Sequence, residues 1–238
     1  MSFISTLESG LRQLNIEMNA VQREQCERFY SLLVEKNKVM NLTTITDEAE
    51  VAEKHFLDSL LITQVQILSE VKSVLDLGTG AGFPGIPIKI FYPEIEMTLV
   101  DSLNKRIDFL KDVSDKLGLS SINIVHARAE VLGQDPNYRE QFDLCVSRAV
   151  ADISVLSEYC IPLVKKDGKF ISYKAVDSEE EIAEGNDAIE LLGGKLLDVS
   201  EKIIPGSDIK RKFVIIDKVN STPDKYPRRP GVPTKKPL

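Results

Sequence analysis

Three glycines on alternate positions, Gly78, Gly80 and Gly82, follow a short apolar run broken by one acid in VLDLGTGAGFPG, residues 74–85. Such a loop lets the backbone approach a nucleotide closely, because glycine carries no Cβ to hold the ligand off. Two registers overlap in it. From Gly80 the residues read G-x-G-x-x-G, the pattern that seats the pyrophosphate of NAD at a helix N-terminus. From Gly78 they read G-x-G-x-G, with Asp76 two residues upstream at the C-terminal edge of a strand made by Val74, Leu75 and Leu77. The second register fits the strand better, since Asp76, Gly78 and Thr79 interrupt any apolar strand meant to run up to Gly80. In LVDSLNKR, Asp101 ends the next apolar run with Ser102 beside it; a carboxylate there accepts both hydroxyls of a ribose, which suits either register. In HARAE, residues 126–130, the main-chain N–H groups of Ala129 and Glu130 fall where an adenine edge would lie, while the Glu130 side chain alone reads as a solvated loop charge.

The elements that must position these residues divide near residue 71. Before it, apolar residues recur at helical spacing over 6–14, 21–34 and 51–68, with Asp47 as the N-cap of the last stretch and Asn15 and Asn19 at the break between the first two. This predicts a small all-helical N-terminal subdomain, residues 1–70. Residues 71–220 alternate short β-branched runs with helical segments, as a parallel α/β sheet requires. Strands are expected at 73–77, 97–100, 123–126, 143–146, 169–173, 196–203 and 212–218. The last two are joined only by PGSDIK, a hairpin-like connection, so the final strand should run antiparallel. A dinucleotide fold would be expected to repeat its β-α-β half and hand over to a substrate domain. A seven-stranded Rossmann-like sheet with a terminal hairpin is instead the layout of class I S-adenosylmethionine-dependent methyltransferases, and the string read from Gly78 resembles their first motif. Pro84 then falls at the first helical position, where its missing N–H costs nothing.

Composition sets the frame. A chain of 238 residues with 42% hydrophobic content buries a substantial core. No window approaches the ~18–20 apolar residues of a membrane span, and Glu8 and Arg12 stand where a signal peptide needs an apolar run, so a cytoplasmic protein without a membrane partner is expected. The three cysteines, Cys26, Cys145 and Cys160, are widely spaced and read as reduced thiols. His55 and His126 offer no ligand pair, and no metal is expected. The net charge of −7 argues against a nucleic-acid partner until its distribution is considered. Residues 221–238 carry Lys225, Arg228, Arg229, Lys235 and Lys236 against Asp224, a net +4, which leaves −11 on the rest. Four prolines and a glycine in the last twelve residues predict an extended surface arm rather than a helix or central strand.

Over essentially the whole chain, DLGTGAGFPGIPIKI, VDSLNKRIDFLK, ARAE, SRAVA, HFLDSL and KYPRRPGVPTKKPL together resemble the bacterial 16S (small-subunit) ribosomal RNA guanine-N7 methyltransferases, the glucose-inhibited division protein B family. Thr79 departs from a common serine, and Ala175 follows Lys174 where many members have glycine. The resemblance implies S-adenosylmethionine as cofactor, contacted by Gly78, Phe83, Ala129, Glu130 and Arg148. It also implies 16S ribosomal RNA or the small ribosomal subunit as partner; a monomer is expected.

Chemistry after the fourth strand agrees with an N7 target. CVSRAVA, residues 145–151, contains neither a Pro-Cys nucleophile for cytosine C5 nor an Asn-Pro-Pro-Tyr-like loop for exocyclic amines, and Cys145 reads as core. Guanine N7 has a free lone pair and needs no base, so no catalytic acid or base is assigned. A bidentate Arg or Lys on guanine would block N7, so Arg148 or Lys174 should reach only O6 or phosphate. Arg148 alternatively pairs with a nearby carboxylate such as Asp152. Lys165, Lys166, residues 210–212 and the arm (Arg228, Arg229, Lys235, Lys236) supply phosphate contacts, while His55 and Asp58 read as core or capping groups. Two alternatives stay open: a methyltransferase of this fold acting on a small molecule or protein, and a nucleotide-binding regulator without chemistry.

Overall fold

The computed structural model describes residues 2–238. Its strands are β1 (Ser73–Leu77), β2 (Glu96–Asp101), β3 (Ile122–His126), β4 (Phe142–Arg148), β5 (Val164–Lys174), β6 (Gly194–Ile203) and β7 (Lys210–Lys218). All the expected strands are present, each at least as long as its pattern suggested. They form one seven-stranded sheet in the order β3-β2-β1-β4-β5-β7-β6. β1 to β5 run parallel, and β7 runs antiparallel to both β5 and β6. The order turns back between β1 and β4, which leaves a crevice at the carboxyl ends of these strands, where open α/β sheets bind ligands.

The helices between strands are α5 (Gly85–Phe91), α6 (Asn104–Leu117), α7 (Ala129–Leu132), α8 (Ile153–Cys160), α9 (Glu179–Glu184) and α10 (Asn186–Leu191). Pro84 sits one position before its expected place, as the N-cap of α5. At the N-terminus, α1 (Phe3–Gln13) is capped by Ser2 and buries Phe3, Leu7 and Leu11 at helical spacing. α2 (Ala20–Met40) opens with a capping box between Asn19 and Gln22. The stretch expected as one helix over 51–68 starts earlier and is irregular. Asp47 caps α3 (Glu48–Val51), which passes into a π turn, Ala52–Leu57, then α4 (Asp58–Leu60) and a 3-10 turn, Leu61–Gln64. Periodicity does not show a π turn, because an inserted residue rotates the buried face without changing composition. Among the described residues, no helix is long and apolar enough to cross a membrane.

These N-terminal helices have no core of their own. Leu11, Phe29, Phe56 and Leu60 belong to one buried cluster with Phe83, Ile86 and Leu110 and with sheet residues Val74 and Val146. The apolar face that α5 and α6 leave uncovered is what α1, α2 and α4 close. The opposite sheet face, with Leu75, Cys145 and Val214, is covered by Leu156, Cys160 and Ile189 of α8 and α10 and by Tyr226 from beyond β7.

The C-terminal segment corrects the extended-arm expectation. Residues beyond β7 fold back on the sheet's helical cover, Tyr226 is buried, and α11 (Val232–Lys235) forms a helical turn against α8. Proline bars a long helix but not one turn that has a proline within its first positions, as Pro233 shows.

Candidate cofactor cleft and its rim

The glycine loop is tied to β2 before any ligand is considered. The N–H groups of Gly78 and Thr79 both donate to the Val100 carbonyl, at 2.9 and 3.1 Å. The wholly buried Asp76 accepts from Thr79 Oγ1 at 2.6 Å and from the Gly85 N–H at 2.8 Å, so it braces the loop against α5. Burial pushes its carboxyl up to about 6 against the opposing pull of these two hydrogen bonds. Asp76 therefore shapes the loop rather than facing the ligand.

The glycines serve different needs. Gly78 borders the cleft at φ +73°, and a Cβ there would stand 2.5 Å from Cγ2 of Val150. Gly82, at φ +100°, backs onto Ile86, whose Cδ1 would lie 2.4 Å from a Cβ, so its requirement comes from packing. Gly80 donates its N–H to Asp101 Oδ2 at 3.0 Å. Neither Gly80 nor Gly82 lines the cleft.

Asp101, at the end of β2, and Ser102 do line it. The buried carboxylate is oriented by the Gly80 N–H, by the Leu103 N–H at 2.9 Å and by Arg106 at 3.1 Å. A carboxylate fixed in this way still has lone pairs for a diol. Ala127, Arg128, Ala129 and Glu130 form the third side. The Ala129 and Glu130 N–H groups lie in the first turn of α7, where a helix supplies no internal acceptor. Glu130 is not a solvated charge: it is buried, and its Oε1 accepts the Gly231 N–H at 2.8 Å.

Phe83 and Arg148 are placed elsewhere. Phe83 stacks between Phe29 and His55, with centroids 5.0 and 4.7 Å away, and neither Phe83 nor Arg148 lines the cleft. Arg148 lies 5.6 Å from the Phe83 centroid and pairs at 2.6 Å with Asp58, not with Asp152. Asp58 is fully buried and also holds Arg211, with Nε at 2.7 Å and a terminal nitrogen at 2.9 Å. His55, with Nε2 2.8 Å from Thr43 Oγ1, is driven down to about 4 chiefly by burial and next by Arg148. It is a neutral core ring at physiological pH.

Several cations assigned to RNA are already engaged. Lys174 pairs with Glu181 and donates to the Ala151 carbonyl at 2.6 Å. Arg228 makes a two-pronged pair with the fully buried Glu158, at 2.9 and 2.6 Å, and gives it the Arg228 N–H at 2.7 Å. Lys165 and Lys166 begin β5, at the opposite end of the sheet from the cleft, and Lys165 pairs with Asp143. Of residues 210–212, Lys210 pairs with Glu201 and the buried Lys212 with Glu179. Arg229, Lys235 and Lys236 are exposed.

Val150, Tyr159, Gly231 and Thr234 also wall the cleft and were missed from the sequence. Tyr159 and Thr234 meet through their hydroxyls at 2.9 Å across 75 residues, a contact no local pattern announces. Arg106 was findable, because it lies in the first turn of α6, only five residues beyond Asp101 in DSLNKR.

The family model of rRNA small subunit methyltransferase G, GidB, matches residues 22–211. The chain is 49% identical to Ribosomal RNA small subunit methyltransferase G of Alkaliphilus metalliredigens, covering 98% of this chain and 97% of that protein. It is 47% identical to the protein of the same name from Lactobacillus delbrueckii subsp. bulgaricus, with 96% of each covered. Among solved structures, a mutant of MtNAS in complex with S-adenosylmethionine superposes with a TM-score of 0.55 at 15% identity, over 90% of this chain and 84% of that one. The 16S rRNA (adenine(1408)-N(1))-methyltransferase of Catenulisporales acidiphilia gives 0.51 at 14% identity, over 69% and 93%. The distant structures agree on the class I methyltransferase fold, and by the family match and the near-full-length relatives the chain belongs to the GidB family of small-subunit ribosomal RNA methyltransferases.

Proposed function

We propose that the protein methylates N7 of a guanine in 16S ribosomal RNA, using S-adenosylmethionine, and acts as a cytoplasmic monomer on RNA or the small subunit. The observation that carries the N7 assignment is the state of the ionisable groups around the cleft. Asp101 is committed to Gly80, Leu103 and Arg106, and Glu130 to Gly231. Cys145 and Cys160 are wholly buried, with the Cys160 thiol raised by burial and by its Cys145 neighbour. Asp76 keeps one oxygen unpartnered but is wholly buried behind the glycine loop and does not line the cleft, so among the described residues no unpaired carboxylate and no thiol lines it. That suits a target that is already nucleophilic, unlike an exocyclic amine or a pyrimidine carbon.

The cleft's donors and acceptors fit the cofactor. Gly78, on the cleft wall, borders the methionine end, Asp101 takes the ribose hydroxyls, and the Ala129 and Glu130 N–H groups read the adenine edge. S-adenosylmethionine supplies a sulfonium methyl that guanine N7 accepts with its lone pair, the carbon–sulfur bond breaking and the positive charge passing to the base. The chain's part is to align the two partners and exclude water. Arg148 ends β4, directly before the Ala149–Val150 turn that covers Gly78, and with its guanidinium committed to Asp58 and the Lys54 carbonyl it acts by fixing the end of β4 beside the cleft. The exposed Arg229, Lys235 and Lys236 dock the RNA backbone. Incubation with methyl-labelled S-adenosylmethionine and small ribosomal subunits tests the assignment: label in 16S RNA is expected, and label confined to protein contradicts it.

A further inference from the structure

The C-terminal segment is bound to the body by a chain of hydrogen bonds, those of the Thr222 hydroxyl buried and most of the others part-buried. Thr222 gives its N–H to Glu140 at 2.8 Å and its hydroxyl to the Leu192 carbonyl at 2.7 Å, and it receives Lys218 Nζ at 2.7 Å. Arg139 donates to the carbonyls of Thr222 and Tyr226 at 2.8 and 2.7 Å, and Gln134 to those of Asp224 and Pro227 at 3.1 and 3.0 Å. The Arg228–Glu158 pair follows. Only past these anchors does the chain reach the cleft, where Gly231 meets Glu130 and Thr234 meets Tyr159. Gly231 and Thr234 there share one cavity with Ala127, Arg128 and Ala129.

We propose that residues 222–236 are a clasp that forms the outer wall of the cofactor site, over its adenosine end. This rests on the assignment of the cleft to S-adenosylmethionine. The strand ends and α7 cover one side of an adenosine only, and burying both faces of the base needs a second surface. Gly231, at φ +80°, brings backbone rather than a side chain to that position. The inward contacts hold the cofactor while the exposed cations of the same segment face outward, so cofactor affinity depends on residues outside the glycine and acidic motifs. Binding of this kind acts equally on ground and transition states and is read in the cofactor's KM rather than in kcat.

A chain ending after Arg229 keeps the Thr222, Tyr226 and Arg228 anchors and loses Gly231 and Thr234. Calorimetry with S-adenosylhomocysteine should show binding weakened at least about tenfold, with a ligand-free melting temperature close to that of the full chain. In the full-length protein, Tyr159→Phe removes the hydroxyl bridge and should weaken binding by roughly twofold to fivefold. Asp101→Asn serves as the reference for the cleft. If the wild type does not bind S-adenosylhomocysteine, or Asp101→Asn binds it unchanged, the cofactor assignment fails. If those two behave as expected and the shortened chain melts cooperatively yet binds with wild-type affinity, the clasp is refuted. Should the shortened chain not melt cooperatively, wild-type affinity in Tyr159→Phe refutes it instead.

Discussion

The glycine loop and the C-terminal segment both border the cofactor cleft, yet they are built in opposite ways. The loop is local: Asp76 braces residues no more than nine positions away, and Gly78, Thr79 and Asp101 lie at the ends of two neighbouring strands. The C-terminal segment is held by Glu130, Glu140 and Glu158, between 70 and 101 residues distant in the chain. A site wall can therefore come from a motif that folds with its strand or from a terminus that docks afterwards. Damage should show in different observables: ligand binding for the loop, and for the segment stability when its anchors over residues 222–228 are broken but ligand binding when its end with Gly231 and Thr234 is lost.

The largest effect is expected in the loop. Gly78→Val forces a β-branched residue to φ +73° and drives its Cβ to within 2.5 Å of Val150 Cγ2, so S-adenosylhomocysteine binding should disappear from calorimetry. Gly80→Ala should be milder: φ +61° strains any side chain there by about 1 kcal/mol, but no clash is added, since the nearest atom to a Cβ is the Gly78 carbonyl oxygen at 4.0 Å. Equal loss in both would break the distinction between a glycine packed under Val150 on the cleft wall and one that only shapes the loop.

Arg228→Ala is the corresponding break in the C-terminal segment. It leaves Glu158, wholly buried, without its cation, and removing one partner of a buried pair costs about 3 kcal/mol or more. Thermal melting should fall by several degrees, and a mutant with wild-type stability would show that the segment is loosely docked after all. Replacing Arg229, Lys235 and Lys236 together by Ala sharpens the contrast, because these exposed cations carry no core packing. Stability should hold, while the log-log salt slope of RNA binding flattens by roughly two units and the KM for RNA rises.

What the sequence revealed follows the same division. The strands, the final hairpin, the Asp47 cap, the helix break near Asn19 and the position of Gly78, Asp101 and Ala129 beside one cleft were legible because each depends on its immediate neighbours. The burial of Glu130 instead depends on Gly231, 101 residues away. The arm was misread because composition reports what proline forbids and not what a distant glutamate attracts. Arg148 was given a neighbour, Asp152, when its partner is Asp58, 90 residues back on α4. The π turn, Ala52–Leu57, that leads into Asp58 left no periodic trace. Lys174 and Arg228 looked free for the same reason, since a cation's partner across the fold is invisible in one dimension.

A smaller effect concerns His55, the ring that joins the N-terminal helices to Phe83. Its value is lowered to about 4 from 6.5, so the unfolded chain binds the proton more readily. The stability this gives is fully present above pH 6.5 and is lost as the pH falls toward 4. His55→Phe keeps the stack on Phe83, and its melting temperature should fall less than that of the wild type between pH 6.5 and 5. A steeper fall in the variant would contradict the burial assigned to the ring.

Chemical mapping of the methyl group tests the central claim most directly. Small ribosomal subunits lacking the modification are incubated with the protein and S-adenosylmethionine, and the extracted 16S RNA is treated with borohydride and aniline, which cleave at N7-methylguanosine. Cleavage at a guanine, dependent on the protein and absent with Gly78→Val, is the predicted result. Methyl incorporation into 16S RNA without such cleavage would place the group on another atom and contradict the base-free N7 transfer.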